Sequence, residues 1–152
     1  MIDVNSEYVK ALEATPLIVR ALVAGLDAEG WRKRPAPGEW SALEIAVHLM
    51  DVESHTVDRV RRILSEDHPA LPAWDHEIPP SRAYREGVDP DVALRQHAEL
   101  RHEHLRLLRG LSGQQWQCTA RHETHGDITL TELEAHVAAE EVDHLAQLAR
   151  LL

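Results

Sequence analysis

The chain has 152 residues, of which 43% are hydrophobic and 28% charged; this predicts one folded domain over residues 1–152 and excludes a disordered chain. Its 26 acidic and 16 basic residues give a formal net charge of −10, which opposes binding to nucleic acid and to anionic membrane surfaces. Neither a signal peptide nor the ~18 apolar residues of a membrane span is found, and the single cysteine, Cys118, can form no internal disulfide, so we expect a cytoplasmic protein.

Four segments with helical periodicity follow one another along the chain, and the alternating pattern of β-strands is missing. The first helix is expected from Asn5 or Ser6 to about Asp27. The second begins at Ser41, because Ser41 and Glu44 have the spacing of a capping box, and it runs to about Leu64.

The next segment cannot be helical throughout, because it holds four prolines, Pro69, Pro72, Pro79 and Pro80. Asp89-Pro90 supplies a cap and a first-turn proline for the third helix, which runs to about Arg109. Thr129 and Glu132 form a second capping box, and the fourth helix continues almost to Leu152. The expected fold is therefore all-α, a four-helix bundle with one long crossover between helices two and three.

The fourth helix places polar residues beside its apolar face. His144 projects into that face, Glu140 lies one turn earlier, and Glu141 lies three residues before His144. On the second helix, His48 borders the apolar face, whereas Glu44 is explained by the capping box. Taken singly, each histidine is as well explained by an ordinary buried or interhelical histidine as by a metal site.

Three stretches of the sequence resemble the DinB/YfiT-like family. They are WSALEIAVHL at 40–49, HETHGDITLTEL at 122–133 and DHLAQ at 143–147. The resemblance implies a four-helix bundle that holds a divalent metal ion with three histidines, one from helix two and an HxxxH pair from helix four.

His48 and His144 match two of these histidines, and Glu140 stands where the first histidine of the pair belongs. Because carboxylates also bind metals, the resemblance predicts zinc, nickel, iron or manganese on His48, Glu140 and His144. Glu141 is expected to orient His144, and His136 is a lesser alternative ligand.

Other polar and aromatic residues receive simpler interpretations. The third helix has His97, Arg101 and His104 on one broad arc; Arg101 could bind a substrate carboxylate, but long polar side chains at the edge of the helix face are the simpler interpretation. Trp40, Trp74 and Trp116 are expected to anchor the core or loops. The histidines before helix four, His122 and His125, are left out of the site.

These observations favour a metal-dependent enzyme acting on a small molecule, either a hydrolase or, as the resemblance implies, an S-transferase that uses a low-molecular-weight thiol such as mycothiol or bacillithiol. No convincing serine or cysteine triad is present. The alternative is a metal-free bundle that binds small molecules or partners, suggested by the glutamate at position 140. A homodimer is expected, since bundles commonly pair exposed helix faces.

Overall fold

The computed structural model describes residues 1–72 and 87–152. Four long helices dominate the described chain, as predicted, and two short helices and two short strands join them. The elements are α1 (Val4–Val23), α2 (Ala28–Arg32), α3 (Ala42–Ser65), α4 (Pro90–Leu108), α5 (Gly113–Trp116), β1 (Thr119–His122), β2 (Gly126–Thr129) and α6 (Leu130–Arg150). None of the helices in the described ranges is long and apolar enough to cross a membrane.

Local capping sets where the long helices begin. Ser41 Oγ accepts from the backbone N–H of Glu44 at 3.2 Å, and the Glu44 carboxylate accepts from the N–H of Ser41 at 2.8 Å. Thr129 and Glu132 form the same reciprocal pair at the start of α6, and Asp89 caps α4. These contacts satisfy N–H groups that the first helical turn leaves without partners, which confirms the predicted helix starts.

The first predicted helix is divided in two by the structure. Helix α1 ends at Val23, and Asp27 does not end that helix but begins the short helix α2, accepting a hydrogen bond from the N–H of Gly30 at 2.7 Å. The cap at Asp27 therefore starts a new helix, although the apolar periodicity continues to that residue.

A two-stranded hairpin precedes α6, although the sequence shows no strand pattern there. Strand β1 pairs antiparallel with β2, and Pro69 to Leu71 runs alongside β1, with hydrogen bonds of 2.9 Å to both backbone groups of Arg121. Gly126 follows the turn with a φ of +71°, which favours glycine. Each strand buries one residue, Ala120 and Ile128, so the alternation is too short to detect in a sequence.

The apolar core has two parts along the bundle. The part near the hairpin includes Leu12, Ile63 and Leu108, and the part at the other end includes Val47 and Leu148. Helix α3 packs mainly on α4, and α1 packs on α6 and α4, whereas α3 and α6 meet less extensively. Of the crossover residues, Trp74, Pro79 and Pro80 lie outside the described residues.

Candidate metal centre

Two helices bring the three predicted ligands together. Helix α3 supplies His48, and α6 supplies Glu140 and His144, one turn apart. Glu140 Oε1 lies 3.6 Å from His48 Nε2 and 3.8 Å from His144 Nε2, and one donor atom from each residue lies within 4.8 Å of the other two. Donors that share one ion at bond lengths of about 2.1 Å can be at most ~4.2 Å apart, so small side-chain adjustments suffice to fit a divalent ion.

The tautomer of the neutral His144 ring suits a metal ligand. Its Nδ1 lies 3.1 Å from Gln147 Oε1, and because an amide oxygen only accepts, Nδ1 carries the proton and donates it. Nε2, the atom that faces Glu140, then holds the lone pair that coordination requires. Gln147 was missed as a site residue, although its spacing of three residues from His144 on a helix could have identified it.

Trp40 forms an aromatic wall over both imidazoles. Its ring centroid is 5.8 Å from that of His144, with the planes nearly parallel at 9°, and 4.8 Å from that of His48. The indole therefore restricts both rings and keeps water from one side of them. Trp40 was predicted as a core or loop anchor, so its place in the site is an addition to that prediction.

The charges of the three residues are coupled. The imidazoles of His144 and His48 hold the pKa of Glu140 well below its usual range, so its carboxylate is ionised. Burial lowers the pKa of His144, but the hydrogen bonds to Glu140 and Gln147 and the charges of Glu140 and Asp143 together outweigh burial, and the net shift is upward. Without a metal, a proton on His144 thus pairs with Glu140, and a cation competes with that proton for Nε2.

The triad lies between two cavities. One, of about 480 Å³, is lined by Trp40, His144 and Gln147 among others. The second, of about 180 Å³, is lined by Glu140 and by Arg59, His122, His125 and His136. Each cavity thus has one of the three candidate ligands in its wall, His144 in the larger and Glu140 in the smaller.

Glu141 does not orient His144, so that prediction is wrong. Its carboxylate faces away from the triad and accepts a hydrogen bond from Thr15 Oγ1 at 2.7 Å and others from the guanidinium of Arg101. The change follows from helix geometry, since neighbouring residues on a helix point about 100° apart. Glu140 faces α3, and Glu141 faces α1 and α4.

The third-helix residues are also buried, contrary to the prediction that they lie at the edge of the helix face. Their exposed fractions are 2% for His97, 1% for Arg101 and 0% for His104. Arg101 donates to both Glu53 oxygens at 2.9 and 2.8 Å, to the Leu12 carbonyl at 2.6 Å and to Glu141. Its guanidinium is therefore engaged within the protein, which leaves the predicted contact with a substrate carboxylate without support.

His104 completes this buried network. Its ring nitrogens lie 2.7 Å from Glu53 and 3.0 Å from Glu134. Burial opposes the charge of His104, but Glu134 and Glu53 raise its pKa to about 10. Burial also opposes ionisation of Glu53, yet Arg101 and His104 hold its pKa well below its usual range. In this network, the charged forms of Glu53, Arg101 and His104 therefore stabilise one another.

A second group of possible ligands lies inside this network. Donor atoms of Glu53, His97 and Glu141 come within 4.8 Å of one another, and burial together with Arg101 lowers the pKa of His97 to about 4. However, Arg101 Nη2 donates to both carboxylates. The guanidinium thus supplies the positive charge that a metal ion would bring to this position.

Three further histidines near the site, His122, His125 and His136, do not join the triad. His136, the alternative ligand, lines the smaller cavity and stacks on His125, with ring centroids 4.2 Å apart. His122 belongs to β1, and its Nδ1 accepts from the N–H groups of Thr124 and His125 at 3.0 and 3.2 Å. In the described residues, the groups close enough to share an ion include neither His136 nor these two.

Such an arrangement defines a helical bundle with a candidate metal centre between two of its helices. Residues 11–148 match the DinB superfamily, and the chain belongs to this family. A structure of YfiT from Bacillus subtilis, described as "a probable metal-dependent hydrolase with an unusual four-helix bundle topology", superposes with a TM-score of 0.82 at 25% identity, covering 97% of this chain and 85% of that one. A protein of Oceanobacillus iheyensis named "putative metal-dependent hydrolase" is 22% identical, over 93% of this chain and 82% of its own.

Proposed function

We propose that this chain is a metal-dependent enzyme in which His48, Glu140 and His144 hold one divalent ion of zinc, nickel, iron or manganese. The observation that carries the proposal is the convergence of two imidazole Nε2 atoms from different helices on one carboxylate oxygen, at 3.6 and 3.8 Å. Two histidines and one carboxylate leave further coordination positions for water or substrate. The names of the two relatives favour hydrolysis as the reaction.

The ion would supply a Lewis acid and would lower the pKa of a bound water or thiol, so a nucleophile would be available near neutral pH. The protein's own residues prepare the position for this chemistry. Gln147 keeps the lone pair of His144 on Nε2, Trp40 excludes water from one side, and the ionised Glu140 offsets the positive charge of the ion. The 480 Å³ cavity beside His144 admits a small-molecule substrate.

Transfer to a low-molecular-weight thiol is the other reaction within this proposal, because a lowered thiol pKa serves S-transfer as a lowered water pKa serves hydrolysis. Turnover of ester or amide substrates with and without an added thiol separates the two reactions. A rate that depends on the thiol, with a thioester product and release of the alcohol or amine, indicates S-transfer, and a thiol-independent rate indicates hydrolysis.

Metal content tests the centre directly. Protein purified without an affinity tag should contain, or take up from iron, manganese, nickel and zinc salts, about one equivalent of metal by elemental analysis. His48→Ala, Glu140→Ala and His144→Ala should each lose it while remaining folded, and Glu140→His should bind zinc or nickel at least as tightly as the natural residue. His136→Ala is the matched control, because His136 lies one turn before Glu140 but stacks on His125.

Less than about a tenth of an equivalent after incubation with all four salts would reject the metal centre. The chain would then be better described as a metal-free bundle that binds a small molecule or a partner. Loss of metal in His136→Ala as well as in the triad variants would instead show that the ligand set is wrong.

We also propose a homodimer. Large apolar side chains remain exposed on α1 and α6, among them Leu17 at 69% and Val142 at 62%, and pairing such faces removes apolar surface from water. Light scattering at micromolar concentration should give twice the 17.2 kDa mass of the chain. The mass of a single chain would refute the dimer.

A further inference from the structure

The lining of the smaller cavity, next to the candidate metal centre, contains an arginine and several histidines. Arg59 and four imidazoles surround about 180 Å³, and a water molecule takes up about 30 Å³ of liquid volume. The space therefore suits a group of a few heavy atoms. Helix α3 supplies Arg59 and His55, the hairpin supplies His122 and His125, and α6 supplies His136.

Arg59 gives this cavity a fixed positive charge. The side chain is half-buried, and in the described residues it donates one hydrogen bond, to the carbonyl oxygen of Pro72 at 3.2 Å. A guanidinium has five N–H donors in a planar fork that matches the oxygens of a carboxylate or a phosphate. Burial lowers the pKa of Arg59, and Glu123 and Glu140 oppose that shift, as is expected for a cation held partly out of water.

The hairpin turn also holds His122, one of the imidazoles that line the cavity. Its Nδ1 accepts two backbone N–H groups of the hairpin turn, so in the neutral ring the proton is on Nε2, at the opposite side of the imidazole. The hairpin therefore fixes both the orientation and the tautomer of a ring that lines the cavity. Glu140 also lines the cavity, but its charge is directed to the imidazoles of the triad.

We infer that this cavity is an oxyanion subsite, in which the guanidinium of Arg59 binds a carboxylate or phosphate group of the substrate. The inference rests on the proposed function for the reacting end of that substrate, because Glu140 lines this cavity and is also a proposed metal ligand. A substrate anchored by its anion here would lie beside Glu140, which lines the same cavity. The substrate class is thus a small molecule that carries an oxyanion a short distance from the bond that reacts.

Inorganic phosphate and acetate, each titrated into the metal-loaded and the chelator-treated full chain at constant ionic strength, test the subsite. Binding is followed by the NMR signals of the imidazole Cε1–H groups. We expect saturable shifts of His122, His125 and His136 with phosphate, acetate or both. Whichever anion binds more tightly identifies the preferred oxyanion.

Arg59→Gln should weaken this binding by at least about tenfold, because it removes a charge-assisted pair of hydrogen bonds. The anion affinity of Arg59→Lys should lie between those of Arg59→Gln and the natural chain, since lysine keeps the charge but not the planar fork. Arg62→Gln is the matched control on the same helix; its guanidinium pairs with Glu66, and it should bind the anions as the natural chain does. Metal content should be unchanged in all three variants.

Equal anion affinity in Arg59→Gln and Arg62→Gln would overturn the subsite, as would binding that chelation abolishes and Arg59→Gln leaves intact. Absence of saturable shifts in the natural chain would overturn it too. These failures are distinguishable from failure of the proposed function: a chain that binds no metal but binds anions through Arg59 retains the subsite and loses the metal centre. A chain that binds metal but shows no Arg59-dependent anion binding retains the metal centre and loses the subsite.

Discussion

Replacing Arg101 by methionine would leave two buried carboxylates without their shared cation. Arg101 is 1% exposed and donates to both oxygens of Glu53, to Glu141 and to the Leu12 carbonyl. Methionine fills much of the same volume but donates nothing. The variant therefore isolates the loss of charge and hydrogen bonds from the loss of packing.

The expected loss of stability is large. Removing one partner of a buried ion pair costs about 3–5 kcal/mol, because the remaining charge stays out of water. The total free energy of unfolding for a protein of this kind is about 5–15 kcal/mol. At about 2–4 °C per kcal/mol, the midpoint of thermal unfolding should fall by about 6–20 °C.

Urea and thermal unfolding followed by far-ultraviolet circular dichroism measure this change. Arg106→Met is the control on the same helix, because Arg106 is exposed and pairs with Glu103 at the surface, and its unfolding midpoint should not change measurably. Burial raises the pKa of Glu141, so the double variant Arg101→Met, Glu141→Gln should recover stability only where Glu141 is ionised, because glutamine cannot ionise. An Arg101→Met midpoint equal to that of Arg106→Met would refute the reasoning.

Two further predictions concern single contacts of the network and of the site. His104 has a pKa of about 10 in the folded protein against 6.5 ordinarily, so its contribution to stability is complete below pH 6.5 and is lost as the pH rises through about 10. His104→Gln should therefore be less stable near neutral pH. Its free energy of unfolding, measured by urea titration, should also fall less between pH 6.5 and about 10 than that of the natural chain. An equal fall in both proteins would contradict this. Gln147→Leu should weaken metal binding by about 10- to 100-fold without changing the ligands, because His144 Nδ1 loses its acceptor. Equal metal dissociation constants for Gln147→Leu and the natural chain would show that Gln147 does not orient the ring.

The parts of the fold that depend on neighbours in sequence were predictable. The capping boxes at Ser41 and Thr129 and the cap at Asp89 involve residues at most three apart, so the starts of α3, α4 and α6 could be read from the chain. Helical periodicity and the family resemblance together indicated that His48, Glu140 and His144 meet, and the structure brings them together. Whether they bind a metal remains a prediction.

The partners of buried charges were not predictable, because they come from distant parts of the chain. Glu141 meets Thr15, 126 residues away, and Arg101 meets Glu53, 48 residues away. Periodicity places Arg101 and His104 on a broad arc toward the interior, but charged residues are seldom buried unless they are paired. Without knowledge of the carboxylates on α3 and α6, the edge of the helix face was the simpler expectation, and it was wrong.

The two neighbouring glutamates of α6 show how the network and the site are connected. Glu141 is held toward α1 and α4 by Thr15 and Arg101, and Glu140, about 100° around the helix, consequently faces His48 on α3. Because the backbone of one helical turn is rigid, the contacts that fix Glu141 also fix the rotation of α6 and hence the direction of Glu140 and His144. The buried ions therefore contribute, together with the apolar packing of α6, to the direction of two of the three proposed ligands without touching them.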